Sequence, residues 1–152
     1  MSSPRAPKPA KLVIGLFMKD KALLGDAAVR LAETFGPVDL ISAWFAFDFT
    51  NYYESEMGRP LFRRMLGFKT LIAQDSLAAI KHRTNDMEER YASGNRRRVN
   101  IDPGYLLMER FVLATGKNFS HRIYIGQHMF GLVHDIRLGG DAFQRVHPER
   151  AI

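Results

Sequence analysis

Carboxylates follow or end several predicted structural elements, and they are the first candidates for chemistry. Asp48 stands in the aromatic run 44–49, Glu54 and Glu56 follow it within eight residues, and Asp102 ends the alternating segment 97–102. Carboxylate oxygens are the ligands that Mg²⁺ prefers, and two carboxylates in unlike environments can divide the roles of general acid and base. Asp48, Glu54 and Glu56 are therefore candidate metal ligands, and Asp48 is also a candidate catalytic residue.

Each carboxylate also has an ordinary structural explanation. Asp102 precedes Pro103, an arrangement typical of the first residues of a helix. Glu54 can complete a helix-capping pair, and Glu56 fits a solvated position. Asp48 is harder to explain in this way, because an unpaired carboxylate buried among aromatic rings carries a large desolvation penalty. We therefore expect Asp48 to contact a cation, a metal or a backbone donor, or to lie at the exposed end of its strand.

A second group of polar residues could hold an anion. Arg98 and Asn100 share the polar side of a predicted strand with Asp102, and Lys117 and Arg122 follow in a later polar segment. Guanidinium groups suit planar oxyanions such as phosphate and carboxylate. These five residues are candidate ligand-binding residues if that side of the strand lines a cleft. If it faces solvent, the pattern is that of an ordinary half-polar strand.

One histidine and two tyrosines complete the candidates. His121 is the candidate proton donor, because an unperturbed histidine titrates near neutral pH; the alternative is an ordinary surface or structural histidine. The five histidines lack the spacing of a zinc motif. Tyr52 and Tyr53 could stack against the ring or base of a ligand, although core packing is the simpler explanation of most aromatic residues.

The composition and the missing motifs exclude or disfavour several classes of function. The chain has no cysteine, which rules out thiol catalysis, disulfides and cysteine-bound metals and fits a cytoplasmic protein. It contains neither G-x-x-x-x-G-K-[ST] nor G-x-G-x-x-G nor G-x-S-x-G, which disfavours the common nucleotide-binding folds and serine hydrolases. The net charge of +6 permits a nucleic-acid partner without requiring one. No apolar run is long enough to span a membrane.

The order of the predicted elements indicates the fold class. Apolar runs and alternation predict strands at 12–18, 38–49, 64–70, 97–102, 121–125 and 129–138. Helical spacing with caps predicts helices over about 21–35, 51–57, 75–91 and 103–116. This order indicates a single α+β domain over 11–140, with a mixed sheet, helices mainly on one face and a C-terminal hairpin. We expect a flexible, basic and proline-rich arm at 1–10 and an irregular tail at 141–152.

Three long segments, 47–58, 98–105 and 113–126, together with 9–13 and 35–39, resemble the bacterial family known as domain of unknown function 4416. The resemblance runs over roughly residues 8–138 and implies no particular reaction or ligand. Members of that family continue past the last hairpin into an aromatic, proline-containing tail, whereas this chain reads GDAFQRVHPERAI. We therefore expect a shortened or divergent C-terminal tail, and any site that the tail completes would be absent.

The favoured prediction is a cytoplasmic domain that binds a small anionic, phosphate-bearing ligand in a polar cleft, with Mg²⁺ as a potential cofactor. The cleft would be built from the segments 48–56, 98–102 and 117–122. The carboxylates would face the metal or act as base, the cations would hold the anion, and His121 would donate a proton. Two alternatives stay open: a non-enzymatic RNA- or nucleotide-binding accessory protein, and a protein-interaction module with an exposed apolar patch. The sequence does not decide between enzyme and binding protein, nor does it give the oligomeric state.

Overall fold

The computed structural model describes residues 1–48 and 51–134 and the backbone of residues 143–145. In this part of the chain the strands are β1 (Ala10–Met18), β2 (Val38–Ser42), β3 (Phe45–Ala46), β4 (Phe62–Ile72), β5 (Val99–Leu106), β6 (Phe111–Thr115), β7 (Ile123–Gly126), β8 (Met129–His134) and β9 (Phe143–Arg145). The helices are α1 (Leu23–Phe35), α2 (Glu54–Met57) and α3 (Leu77–Tyr91), with 3₁₀ turns at Asn51–Tyr53 and Gln74–Ser76. Residues 1–9 have no regular secondary structure.

The strands form one antiparallel sheet in the order β7-β8-β6-β5-β1-β4-β2-β9, and β3 pairs with β4 beside this path. The α+β class, the single domain and the β7–β8 hairpin are confirmed. Every pairing between described strands is antiparallel, which replaces the expected mixed sheet. None of the described helices is long and apolar enough to cross a membrane.

The first strand is the centre of the core because both of its faces are covered. Leu12, Ile14 and Leu16 point to the face that α1 and α3 cover, where they pack with residues such as Leu31 and Ile80. The opposite face carries Phe17, which packs with Met57 of α2 and Leu61. A continuous apolar run is the expected pattern of such a doubly covered strand. The two long helices thus share one face, as the sequence predicts.

The predicted helix over 103–116 is wrong, because those residues belong mainly to the antiparallel strands β5 and β6. Leu107 N–H donates to the carbonyl of Arg110 at 2.9 Å and closes the turn between them. Burial alternates along β6, where Val112 and Ala114 are buried and their neighbours are not. The period of two therefore prevails over the helical spacing of the apolar residues and over the Asp102-Pro103 helix-start signal.

Other boundaries differ less. The predicted strand 38–49 is divided into β2 and β3, and the strand predicted at 64–70 extends to Phe62–Ile72. The short helix after the aromatic run is present and ends at Gly58, whose φ of 78° suits glycine. The predicted extension of the last hairpin strand to 138 lies outside the described residues. Most of the predicted irregular tail lies outside them too, but Phe143–Arg145 form β9 and pair with β2.

Candidate functional site

The sheet opens between β5 and β6, and this opening forms the candidate site. The two strands pair only where Gly104–Leu106 meet Leu113–Phe111, whereas Ala114 and Thr115 pair with β8 alone. A cavity of about 480 Å³ lies in the gap beside α3. Its walls come from the 3₁₀ turn Asn51–Tyr53, α3, the α3–β5 loop, β5 and the end of β6. The lining residues are Tyr53, Lys81, Asn85, Glu88, Glu89, Ala92, Gly94, Asn95, Arg97, Asn100, Asp102, Thr115, Gly116 and Lys117.

Two charged side chains of α3 take the place of the missing strand partner. Glu88 Oε1 accepts a hydrogen bond from the backbone N–H of Ile101 at 2.6 Å. Lys81 Nζ donates to the carbonyl oxygen of the same residue at 2.9 Å. The side chains of Lys81 and Glu88 are only 8% and 9% exposed. A buried backbone group without a partner would be costly, so these two charges satisfy the backbone where the sheet is open.

Pro103 explains why the opening begins where it does. Alternate residues of a strand direct their N–H groups to the same side, and Ile101 directs its own toward the gap. Pro103 has the same parity but lacks an N–H, so it cannot donate to a strand on that side. Pairing with β6 accordingly starts one residue later, at Gly104.

A continuous chain of polar contacts runs along the cavity. Lys81 Nζ lies 3.3 Å from Asp102 Oδ1, and Asn100 Nδ2 donates to Asp102 Oδ2 at 2.7 Å. Arg97 Nη1 donates to Asn100 Oδ1 at 2.8 Å. The same guanidinium donates to the Glu56 carboxylate from Nε at 2.7 Å and from Nη2 at 2.8 Å. The Arg97 backbone N–H donates to the same carboxylate at 3.1 Å. The contacts therefore join α3, β5 and α2 into one network.

The pKa values of the two glutamates of this network, Glu56 and Glu88, are shifted in opposite directions. Burial raises the pKa of Glu88, although Lys81 and the N–H of Ile101 act against the shift. The hydrogen bonds from Arg97 lower the pKa of Glu56, despite some desolvation. The hydrogen bonds to the Glu56 carboxylate raise the pKa of the Arg97 guanidinium. Carboxylates in such unlike environments are the arrangement that acid–base chemistry uses.

The side of the site near α2 is aromatic. Tyr53 meets the Phe17 ring edge-on at 4.8 Å between centroids, and Phe17 stacks on Phe47 at 4.4 Å. The guanidinium of Arg63 lies 4.7 Å from the Phe47 centroid, and its Nη2 is 3.9 Å from Asp102 Oδ2. Burial lowers the pKa of Arg63 and raises that of Tyr53. The aromatic cluster therefore borders the polar network directly.

Several predicted site residues do come together. Tyr53, Asn100, Asp102 and Lys117 all line the cavity, so the three predicted segments meet there. Lys117 Nζ lies 3.7 Å from the ring centroid of Tyr52, which places that tyrosine at the rim. Glu56 joins the network through Arg97.

The predicted metal ligands do not form one set. Asp48 and Glu54 line a different hollow of about 360 Å³, where Glu54 pairs with Arg59. Asp48 is exposed and makes no hydrogen bond or ion pair within the part of the chain that the structure describes. Among the described residues, no three or more histidine or acidic side chains are arranged to hold a metal ion. Asp48 thus lies exposed, two residues beyond the end of β3, and is not buried among its aromatic neighbours.

Three other predicted residues lie outside the cavity lining. Arg98 points to the opposite side, where its one ion-pair partner among the described residues is Asp20, at 3.7 Å. His121 is exposed and lies parallel to the Phe119 ring, with 6.2 Å between centroids. Arg122 donates to the carbonyl of Lys117 at 2.7 Å and so ties the β6–β7 loop to itself.

Sequence reasoning missed Arg97, Lys81 and Glu88. Arg97 was missed because the polar side of the strand was assigned by alternation back to 98, whereas β5 begins at Val99. The positions of Lys81 and Glu88 gave a signal, since they are seven residues apart and follow the apolar positions 80 and 87 directly. Residues seven apart lie on one side of a helix, so this spacing predicts that Lys81 and Glu88 both face the sheet.

Comparison with known proteins places the chain in a family. Neither a curated protein nor a solved structure matches it. A family model described as "Domain of unknown function (DUF4416)" matches residues 8–144, which include the whole cavity lining. The chain belongs to the DUF4416 family.

Proposed function

We propose that this domain binds a small anionic, phosphate-bearing ligand in the cavity between β5 and β6. The observation that carries the proposal is a polar cavity whose lining includes Lys117, a cation over the rings of Tyr52 and Tyr53. A cavity of about 480 Å³ is in the size range of small-molecule sites.

The charges of the lining indicate where an anionic group would bind. Lys81 and Arg97 already contact carboxylates. Lys117 is the one cation of the lining that has no carboxylate within ion-pair distance among the described residues. Its ammonium group lies at the rim, over the rings of Tyr52 and Tyr53. A phosphate would bind there, where it meets a cation without displacing an existing pair.

The floor of the cavity suits hydroxyl or amide groups of the same ligand. Asp102 and Asn100 provide acceptor oxygens, and Asn85 and Asn95 add amide groups that can donate or accept. The ring of Tyr53 offers a flat apolar surface beside them. A sugar phosphate or a nucleoside monophosphate has this combination of groups. A divalent cation would reach the site with the phosphate, because the described carboxylates do not form a ligand set by themselves.

The RNA-binding alternative is less well supported by the same cavity. Three carboxylates, Glu88, Glu89 and Asp102, line it together with three cations. Acidic groups repel the closely spaced phosphates of a nucleic acid backbone, which binds best to surfaces of uniform positive charge. The balanced lining favours a ligand with one anionic group and several neutral polar groups.

A thermal-shift and calorimetric screen tests the proposal. Sugar phosphates and nucleoside monophosphates are titrated with and without Mg²⁺, since a ligand at 100 times its Kd stabilises a protein by about 2.7 kcal/mol. Lys117→Ala should weaken binding about tenfold, by the loss of one charge-assisted contact. The matched control is Lys69→Ala, which removes an exposed lysine of β4. If no ligand raises the melting temperature, or if both variants bind like the wild type, the proposal fails.

A further inference from the structure

A second hollow lies on the other side of Arg97, and we call it the basic pocket. It has a volume of about 490 Å³ and adjoins the first cavity at the Arg97 side chain, which lines both. The end of β1, the start of α1, α2 and the α3–β5 loop form its walls. Its lining residues are Lys19, Asp20, Leu23, Glu56, Met57, Ser93, Arg96, Arg97 and Arg98.

The basic pocket carries an excess of positive charge that the first cavity lacks. Four of its lining residues are cations and two are carboxylates, whereas cations and carboxylates are equal in number in the first cavity. Both carboxylates of the basic pocket are occupied. Glu56 accepts hydrogen bonds from Arg97. Asp20 accepts a hydrogen bond from the backbone N–H of Ala22 at 3.0 Å and lies 3.7 Å from Arg98. Lys19 and Arg96 have no carboxylate within ion-pair distance among the described residues.

Hydrogen bonds of Arg96 and Arg97 order the backbone of the Arg96–Arg98 run. Ser93 N–H donates to the carbonyl of Arg96 at 2.9 Å, and Arg96 N–H donates back to Ser93 at 3.2 Å, so the loop is closed by a pair of hydrogen bonds. Arg97 is fixed by Glu56 and Asn100. Arg96 and Arg98 flank this anchored residue and are exposed. Their side chains therefore start from an ordered backbone and remain accessible.

The donors of the basic pocket are side chains rather than a helix end. The N–H of Leu23, the first residue of α1, already donates to the carbonyl of Asp20 at 3.2 Å. Lys19 adds a further cation. Its Nζ would lie 3.5 Å from a Cβ atom placed on Gly58, so this ammonium group lies beside the end of α2. An ammonium group and two guanidinium groups are a donor set that suits phosphate oxygens.

We propose that the basic pocket is a second anion site, which binds the phosphate group of a small molecule through Lys19, Arg96 and Arg98. It is separate from the site proposed between β5 and β6 and does not depend on it. The site takes compact groups of high negative charge, such as a diphosphate or a terminal phosphate monoester. Asp20 and Glu56 at its edge work against a long polyanion, whose charges would continue past the cations.

The test is a titration of the full chain with inorganic pyrophosphate at low salt, followed by amide NMR. We expect saturable shifts at residues 19–23 and 93–98. Arg96→Ala with Arg98→Ala should weaken binding by at least about tenfold, from the strength of charge-assisted hydrogen bonds in a partly solvated site. The control, Arg90→Ala with Arg110→Ala, removes the same charge from exposed positions elsewhere and should keep the wild-type affinity within about twofold.

A third variant separates this proposal from the first. Lys117→Ala should leave pyrophosphate binding unchanged; if it abolishes the shifts, pyrophosphate binds in the first cavity and the basic pocket is not an anion site. The proposal is also overturned if Arg96→Ala with Arg98→Ala binds as tightly as its control. Binding of a single-stranded oligonucleotide without any response to pyrophosphate would overturn it in favour of a nucleic-acid surface.

Discussion

Replacing Glu56 and Glu88 separately by glutamine tests the electrostatics of the network, because the two changes should have opposite pH dependences. The pKa of Glu56 is lowered in the folded protein and that of Glu88 is raised, each from an ordinary value of 4.5. A glutamate with a lowered folded pKa adds stability above its unfolded pKa and loses it in acid. A glutamate with a raised folded pKa adds stability in acid and loses it as the pH rises.

The magnitude for Glu56 follows from its contacts with Arg97. The carboxylate accepts two charge-assisted hydrogen bonds of 2.7 and 2.8 Å from the guanidinium, and both side chains are close to 30% exposed. Buried bonds to charged groups are worth about 1.5–3 kcal/mol, and exposed ion pairs about 0–1 kcal/mol. Glutamine keeps one acceptor, so Glu56→Gln should cost about 1–2 kcal/mol at pH 7. That loss should disappear as the pH falls from 4.5 through the lowered pKa of Glu56.

For Glu88 the sign reverses. Its ionised form is disfavoured in the folded state by burial, so the wild type loses part of its stability as the pH rises from 4.5 through the raised pKa. Glutamine cannot ionise, and its carbonyl can still accept the N–H of Ile101. The stability of Glu88→Gln relative to the wild type should therefore improve as the pH rises.

Urea unfolding followed by circular dichroism between pH 3.5 and about pH 8 measures both differences. Glu89→Gln is the control, because this exposed neighbour of Glu88 should change stability by at most about 0.5 kcal/mol. Only differences from the wild type are compared, so the other titrating groups cancel. If the two variants change in the same direction with pH, or if Glu56→Gln retains its full loss in acid, the assignment of opposite charge environments is refuted.

Three further changes have definite expected outcomes. Lys81→Met should cost about 1–3 kcal/mol in urea unfolding, because it leaves the buried carbonyl of Ile101 without its donor; a loss below about 0.5 kcal/mol would contradict this. Gly104→Ala should destabilise by about 1–3 kcal/mol, because its Cβ would lie 2.5 Å from the Phe111 ring and 2.7 Å from a backbone carbonyl, and wild-type stability would refute it. Asp48→Asn should change neither stability nor ligand affinity measurably by calorimetry, and tenfold weaker binding would return Asp48 to the site.

The fold was largely predictable because its core follows patterns that depend on neighbours in the sequence. The apolar run of β1, the amphipathic spacing of α1 and the hairpin of β7 and β8 were all recognisable. The failure at 103–116 was of another kind. There, Asp102-Pro103 is a genuine helix-start signal by local criteria, but β5 and β6 pair with each other and with β1 and β8, which are distant in sequence.

The site was predictable by segment but not by residue. Alternation of side chains holds only within a strand, and β5 begins at Val99, so it placed Asn100 and Asp102 correctly but chose Arg98 where Arg97 lies in the cavity. Asp48 was favoured because its aromatic neighbours suggested burial, yet it is exposed and lies two residues beyond the end of β3. Lys81 and Glu88 belong to the helix predicted over 75–91, and their role depends on the opening between β5 and β6, which no local pattern of the sequence indicates.

The backbone of β5 accounts for the opening between β5 and β6. It also distinguishes a cation that the fold requires, Lys81, from cations that it does not require. Pro103 cannot donate toward β6, the sheet opens, and Ile101 needs partners that Lys81 and Glu88 supply. The polar character of the inner wall is therefore a requirement of folding, and its loss should be seen first as lost stability. Lys117, Arg96 and Arg98 satisfy no buried group, so the fold does not need their charges. Variants at these three positions should fold like the wild type, and any change that they cause in ligand affinity reports on binding alone.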